Sequence, residues 1–328
     1  MKAIFPNKLK KGDTICVIAP AASVSTLKPI IQKTAIKRVN NILGCNVVFG
    51  KNSFKKDIFD SSSIDDRIHD LHMAFKDKKI KGIICTRGGF NSNELLKHID
   101  WTLVKNNPKP LCGYSDITVL SNAIYAKTGV VSYSGPTFSN MGMKDGKDIM
   151  KYTFDYFQKC LMSNNPFTIV PGKYFNERKI KATKNNGFTV IQDGNTKGTI
   201  IGGNLCSFNL LQGTEYMPSL KDKILFLEDD DFGGKLSPLE FERNFQSLLQ
   251  CKDADKIKGI VFGRFQKGFN MNLEKMKFIL SDKNISKSIP IIYNVDFGHT
   301  MPMITFPIGG EVSIEAKGKN AIIEITKH

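Results

Sequence analysis

The chain has 328 residues, enough for two domains that each bury a core. Hydrophobic residues make up 41% and charged residues 24%, which excludes a disordered chain, and no apolar run approaches the roughly 20 residues a membrane span needs. The formal charge of +16 comes from lysines in scattered short groups such as Lys55-Lys56, with no arginine-rich block or basic helix. That argues for a solvated surface and against nucleic acid as a partner, although the field would draw in anionic small molecules.

From the amino terminus, Met1 to Asn7 has no apolar segment behind its charge, so no secretory leader is expected and a cytoplasmic location is. Thr14 to Pro20 reads as a buried strand stopped by proline, Ile30 to Asn41 as a helix, and Asn46 to Phe49 as a second strand. Ile64, Ile68, Leu71 and Phe75 recur at helical spacing. Lys81 to Thr86 is a strand, followed by a turn and a helix carrying Leu95 and Leu96. Pro110 to Gly113 is another strand, with Ile117, Leu120 and Ile124 marking the helix after it. Strand–helix alternation of this kind predicts a parallel sheet covered on both faces.

A helix over Ile149 to Met162 ends this first unit, taken as 1–165, and a polar stretch, 166–195, reads as a connection. The second unit, 196–328, is mixed α/β, with strands at 198–202, 224–227, 259–262, 312–314 and 321–325. Ser237-Pro238-Leu239-Glu240 reads as a helix start, with Ser237 as N-cap and Pro238 in the first turn. Seven cysteines, at 16, 45, 85, 112, 160, 206 and 251, stand singly, several inside apolar runs. They read as buried thiols rather than as a disulfide framework or a zinc site.

Gly113-Tyr114-Ser115-Asp116 falls where a strand turns directly into a helix. A serine there is exposed above the sheet, and the amide of Asp116 is placed to stabilise an oxyanion. Ile117 stands where a hydrolase elbow has its second glycine, so Ser115 fits a plain helix cap as well as a nucleophile. Arg87-Gly88-Gly89-Phe90 also lies between a strand and a helix, with Asn91 and Glu94 spaced as a capping box. Its glycines allow close backbone approach to a ligand, or serve only a tight turn. Of the run Glu228-Asp229-Asp230-Asp231, Glu228 is the one carboxylate expected to face inward; consecutive acids cannot converge on one cation. Among five histidines, His69 and His72 read as solvated, His98 lies late in a helix and His328 is last. His299 sits in a glycine- and proline-bounded turn suited to general-base work. The order Ser115…Glu228…His299 suits a serine–histidine–acid triad assembled between the two units.

The ordered segments 86–96 (TRGGFNSNELL), 113–118 (GYSDIT), 202–205 (GGNL), 225–229 (LFLED) and 296–310 (DFGHTMPMITFPIGG) resemble the LD-carboxypeptidase family, within it the microcin C immunity peptidases. The resemblance implies a flavodoxin-like amino-terminal domain, a smaller swivelling carboxy-terminal domain, a homodimer and neither metal nor cofactor. It implies a triad of Ser115, Glu228 and His299, with Gly88, Gly89 and Asp116 around the oxyanion. Asn91 and Asn93 mark the immunity branch and its substrate contacts. The substrate it implies is a peptidyl- or aminoacyl-nucleotide. A muropeptide tetrapeptide is the alternative within the family, and a non-catalytic nucleotide-binding module the alternative outside it.

Overall fold

The computed structural model describes residues 2–144, 146, 148–177 and 182–328. The first unit runs β1 (Thr14–Ile18), α1 (Pro29–Arg38), β2 (Asn46–Phe49), α2 (Ile64–Lys76), β3 (Ile80–Cys85), α3 (Trp101–Asn106), β4 (Leu111–Gly113), α4 (Thr118–Thr128), β5 (Ser132–Ser134), α5 (Phe138–Met141) and α6 (Ile149–Leu161). Five strands pair in parallel in the order β2-β1-β3-β4-β5, the flavodoxin-like arrangement. Strand β3 is buried at five of its six positions, as its near-continuous apolar run requires when helices cover both faces. Helix α2 begins where Ser63 accepts a hydrogen bond from the Asp66 amide, with Asp65 and Asp66 in its first turn. It buries Leu71, Ala74 and Phe75.

The rest of the chain runs β6 (Phe167–Thr168), β7 (Tyr174–Phe175), β8 (Thr183–Lys184), β9 (Thr189–Gln192), β10 (Gly194–Asn204), α7 (Leu205–Asn209), β11 (Lys223–Glu228), α8 (Ser237–Leu249), β12 (Gly259–Gly263), α9 (Leu273–Ser281), β13 (Ile291–Val295), β14 (Phe306–Ile308), β15 (Glu311–Lys317) and β16 (Asn320–Lys327). Among the described residues, an eight-stranded sheet has the order β6-β16-β15-β10-β11-β12-β13-β9, parallel from β10 to β13 and antiparallel outside it. The segment 166–195 thus carries β6 and β9 of this sheet as well as the small β7–β8 hairpin.

Two devices bind the units together. The Asn122 side chain on α4 donates to the Gly202 carbonyl and accepts from the Gly202 amide, and Thr118 Oγ1 accepts from the Asn204 amide. Strand β14 stands outside the second sheet and pairs antiparallel with β5, extending the first sheet. Pro307 is tolerated there because β14 is an edge. No helix of the described residues is long and apolar enough to cross a membrane.

Several local expectations are corrected. Asn91 caps a 3₁₀ helix, Ser92–His98, without a side-chain cap bond, and the Glu94 carboxylate turns to the buried Arg67 instead of closing a capping box. A 3₁₀ turn runs into α8, so Ser237 is already helical and the cap position falls on Leu236. Cys206 is exposed and Cys251 half-buried, unlike the other five thiols. His72, read as solvated, is half-buried and accepts from the Asp100 amide.

Candidate active site

Ser115, Glu228 and His299 come from three places in the fold. Ser115 follows β4 at the carboxyl end of the parallel sheet, where doubly wound sheets bind ligands. Its φ is +63°, a left-handed conformation that costs a non-glycine residue roughly 1 kcal/mol. The cap position of α4 falls on Ile117, so Ser115 does not cap that helix. Its hydroxyl goes elsewhere, with Ser115 Oγ 3.1 Å from His299 Nε2.

Glu228 ends β11 and is 2% exposed. Its Oε2 lies 2.7 Å from His299 Nδ1. An ionised carboxylate can only accept, so the Nδ1 proton is fixed on the glutamate side and Nε2 is left to accept from Ser115. His299 stands in the turn between β13 and β14. The Ile304 amide donates to the Asp296 carbonyl across that turn (2.7 Å). Phe297 and Phe306, on either side of the turn, pack with Phe226 of β11 at ring separations of 4.9 to 5.6 Å. Removing such a buried ring costs about 3–5 kcal/mol, so this cluster fixes the turn to the strand that carries Glu228. Gly298, with φ +104°, is needed because a side chain there would meet Glu228 Oε2 at 2.7 Å.

Burial pulls the His299 pKa down, but the charge and hydrogen bond of Glu228, helped by Asp230, outweigh it and leave the pKa raised. Tyr114 packs its ring 5.1 Å from the imidazole. Glu228 was the one carboxylate expected inward, but Asp229 is buried too, at 6% exposure, accepting from Asn204 Nδ2 (3.0 Å).

The residues expected around the oxyanion are placed as follows. A Cβ on Gly88 would lie 2.8 Å from Ser115 Cβ, 2.9 Å from Oγ and 3.3 Å from the Asp116 amide nitrogen. Glycine is therefore a packing requirement at 88. Gly88→Ala is expected to fold normally yet lower kcat about 100-fold by displacing Ser115, checked by steady-state kinetics beside a thermal melt. Asp116 is buried; its carboxylate accepts from the Ser92 amide and its carbonyl from the Ser92 hydroxyl, locking the Gly88–Asn91 loop against the serine turn. Gly89 and Asn91 line the same cavity as Ser115 and His299, whereas Asn93 is exposed and outside its lining.

That cavity has a volume of about 1220 Å³. Asn176 and Glu177 approach it from the stretch read as a connection, in which the sequence names no contact residue. Nor did it single out Phe90 and Phe232, exposed rings 5.2 Å apart that meet at its wall from the two units. Phe90 sits beside the glycine pair and Phe232 four residues after Glu228, so proximity to the motifs was the available signal.

Comparison with known proteins decides the family. The model of the LD-carboxypeptidase N-terminal domain matches residues 15–135, and that of the LD-carboxypeptidase C-terminal domain matches residues 197–314. The chain belongs to the LD-carboxypeptidase family. It is accordingly a serine carboxypeptidase-type hydrolase. A crystal structure of an MccF-like protein from Bacillus anthracis superposes with a TM-score of 0.97 at 46% identity, covering 99% of this chain and 100% of that one. The microcin C7 self-immunity protein MccF of Escherichia coli is 31% identical over 96% of this chain and 94% of its own length. A structure of MccF in complex with aspartyl sulfamoyl adenosine superposes with a TM-score of 0.87 at 28% identity, covering 99% of each chain. A Bacillus subtilis protein named as a murein peptide carboxypeptidase is 31% identical over 99% of this chain and 97% of its own length.

In this LD-carboxypeptidase the buried Asp229 has its pKa pushed up to about 8, first by desolvation and then by the neighbouring Glu228 charge. A carboxyl whose folded pKa is raised keeps its proton in the native state between about pH 4 and 8, while the unfolded chain loses it. Stability therefore falls as pH rises through that window. Asp229→Asn is expected to gain on the order of 2 kcal/mol at pH 8.5 and little at pH 5, measured by urea unfolding at both values. Equal destabilisation at both pH values would overturn this.

Proposed function

We propose that Ser115, His299 and Glu228 form the catalytic triad of an amide hydrolase acting on a peptidyl- or aminoacyl-nucleotide. One observation carries the reading: a continuous hydrogen-bonded chain, Ser115 Oγ to His299 Nε2 and His299 Nδ1 to Glu228 Oε2, in the wall of a cavity of about 1220 Å³. The serine hydroxyl attacks the acyl carbonyl as its proton passes to Nε2. Glu228 holds the imidazole in orientation and stabilises the imidazolium. The tetrahedral oxyanion is received by the amides of Gly89 and Asp116. The imidazolium then donates its proton to the leaving nitrogen, and the acyl-serine is released by a water that His299 activates.

The nucleotide class is supported by likeness to MccF, solved in complex with aspartyl sulfamoyl adenosine, and to the MccF-like protein. An activity of that kind would detoxify a microcin C-type antibiotic. The murein peptide carboxypeptidase relative supports a second reading, removal of a terminal D-amino acid from an L,D-linked tetrapeptide. The deciding experiment is a mass-spectrometric hydrolysis assay of the purified protein on aspartyl sulfamoyl adenosine and on an L,D-linked muropeptide tetrapeptide. Release of aspartate from the first alone is the expected result. Release of D-alanine from the second alone would replace the nucleotide reading with the muropeptide one.

A further inference from the structure

Asp296 is fully buried, three residues before His299, and touches neither the cavity nor the triad. Four segments nevertheless converge on it. The Arg264 guanidinium, at the end of β12, forms an ion pair with it. The Gly172 amide donates to Oδ2 (2.7 Å), Asn185 Nδ2 to Oδ1 (3.1 Å), and the Tyr152 hydroxyl of α6 to Oδ2 (3.3 Å). Its own backbone closes the turn that carries His299.

Gly172 and Asn185 stand on the two arms of the β7–β8 hairpin, before and after it. The arms are held again by groups that Asp296 orients. Arg264 stacks over the Phe175 ring at 4.4 Å and donates to Asn294 Oδ1 (2.7 Å). Asn294 in turn donates to the Gly187 carbonyl (2.8 Å). Beyond these anchors Asn176 exchanges backbone hydrogen bonds with Met301, at 2.6 and 2.9 Å, and Asn176, Glu177 and Ala182 face the cavity.

We infer that Asp296 is a positioning residue: it holds both arms of the β7–β8 hairpin, and thereby the wall of the cavity formed by Asn176, Glu177 and Ala182, in the geometry that binds substrate. The inference rests on the proposed function, since it assigns that wall to substrate recognition. A carboxylate is suited to the task because it alone accepts from four donors in three directions and neutralises the buried Arg264. Its effect falls on binding, because His299 is fixed separately by Glu228 and by the Phe226–Phe297–Phe306 cluster.

The test compares wild type with Asp296→Asn and Asn185→Ala in the full chain. Three readouts are taken: steady-state hydrolysis of aspartyl sulfamoyl adenosine, the rate of Ser115 labelling by a small fluorophosphonate, and hydrogen exchange of residues 172–177 and 182–187. For Asp296→Asn, KM is expected to rise about 10-fold or more with kcat and labelling within about 3-fold of wild type. Exchange in both arms is expected to accelerate about 10-fold. Asn185→Ala, which keeps the ion pair, is expected to shift KM and the exchange of 182–187 in the same direction by about 3-fold, and it decides the matter if Asp296→Asn does not fold. Unchanged exchange and KM in the folded variants would overturn the inference. So would loss of kcat and labelling at unchanged KM, which would place the effect on His299. If wild type leaves aspartyl sulfamoyl adenosine intact, the substrate reading fails, and the exchange comparison still decides whether Asp296 holds the hairpin.

Discussion

Ser115→Ala is expected to lower kcat about 10⁴-fold or more and to abolish covalent labelling by a fluorophosphonate. Among the described residues, the Ser115 hydroxyl is the group His299 Nε2 contacts, at 3.1 Å, so nothing else in the turn can take over the attack. The fold should survive. The lost oxygen faces a cavity open to water, so the imidazole regains a partner and stability should change by less than about 1 kcal/mol. The variant should therefore still bind substrate with ordinary affinity, which calorimetric titration with aspartyl sulfamoyl adenosine would show. Wild-type turnover by Ser115→Ala protein would sink the mechanism.

Glu228→Gln is the second large effect, and its pH signature distinguishes it from a merely damaged protein. The amide keeps the volume but loses the charge, and it can present its NH₂ to Nδ1 and so impose the wrong imidazole tautomer. A fall in kcat of about 10⁴-fold is expected. General-base action needs neutral His299, so kcat/KM of the wild type should fall as pH drops through a midpoint above the usual histidine value. Removing the Glu228 charge leaves burial to dominate, and the midpoint of the residual activity should move to lower pH. An unshifted midpoint would show that Glu228 does not govern the imidazole.

The first unit was legible because its signals are local. The apolar runs at 14–18 and 80–85 and the glycines after the second of them bound strands and turns that form as written. From its own turn Ser115 was legible as a placement, with a role only through the family resemblance; the fold adds that Ile117 takes the cap position and that the hydroxyl meets His299. The β7–β8 pair was illegible for a physical reason: its strands are two residues each, too short for any period, and its anchor is a carboxylate more than a hundred residues away. Strand β14 was hidden by Pro307, which a central strand could not hold and an edge strand can. Glu94 and Ser237 misled because capping patterns are local preferences, overridden here by a buried arginine and by a 3₁₀ turn feeding directly into α8.

The crossing of β14 into the first sheet makes the enzyme a clasped rather than a tandem pair of domains. Seven residues after His299, at Phe306, the chain has already paired with β5, which lies beside β4, the strand that delivers Ser115. Ser115 and His299 are therefore held to neighbouring strands of one sheet, while the Phe226–Phe297–Phe306 cluster ties the histidine turn to β11 and Glu228. The amino-terminal half cut free at the sequence boundary would expose β5 as a naked edge with unpaired amides, an invitation to aggregation that the carboxy-terminal half alone can cover.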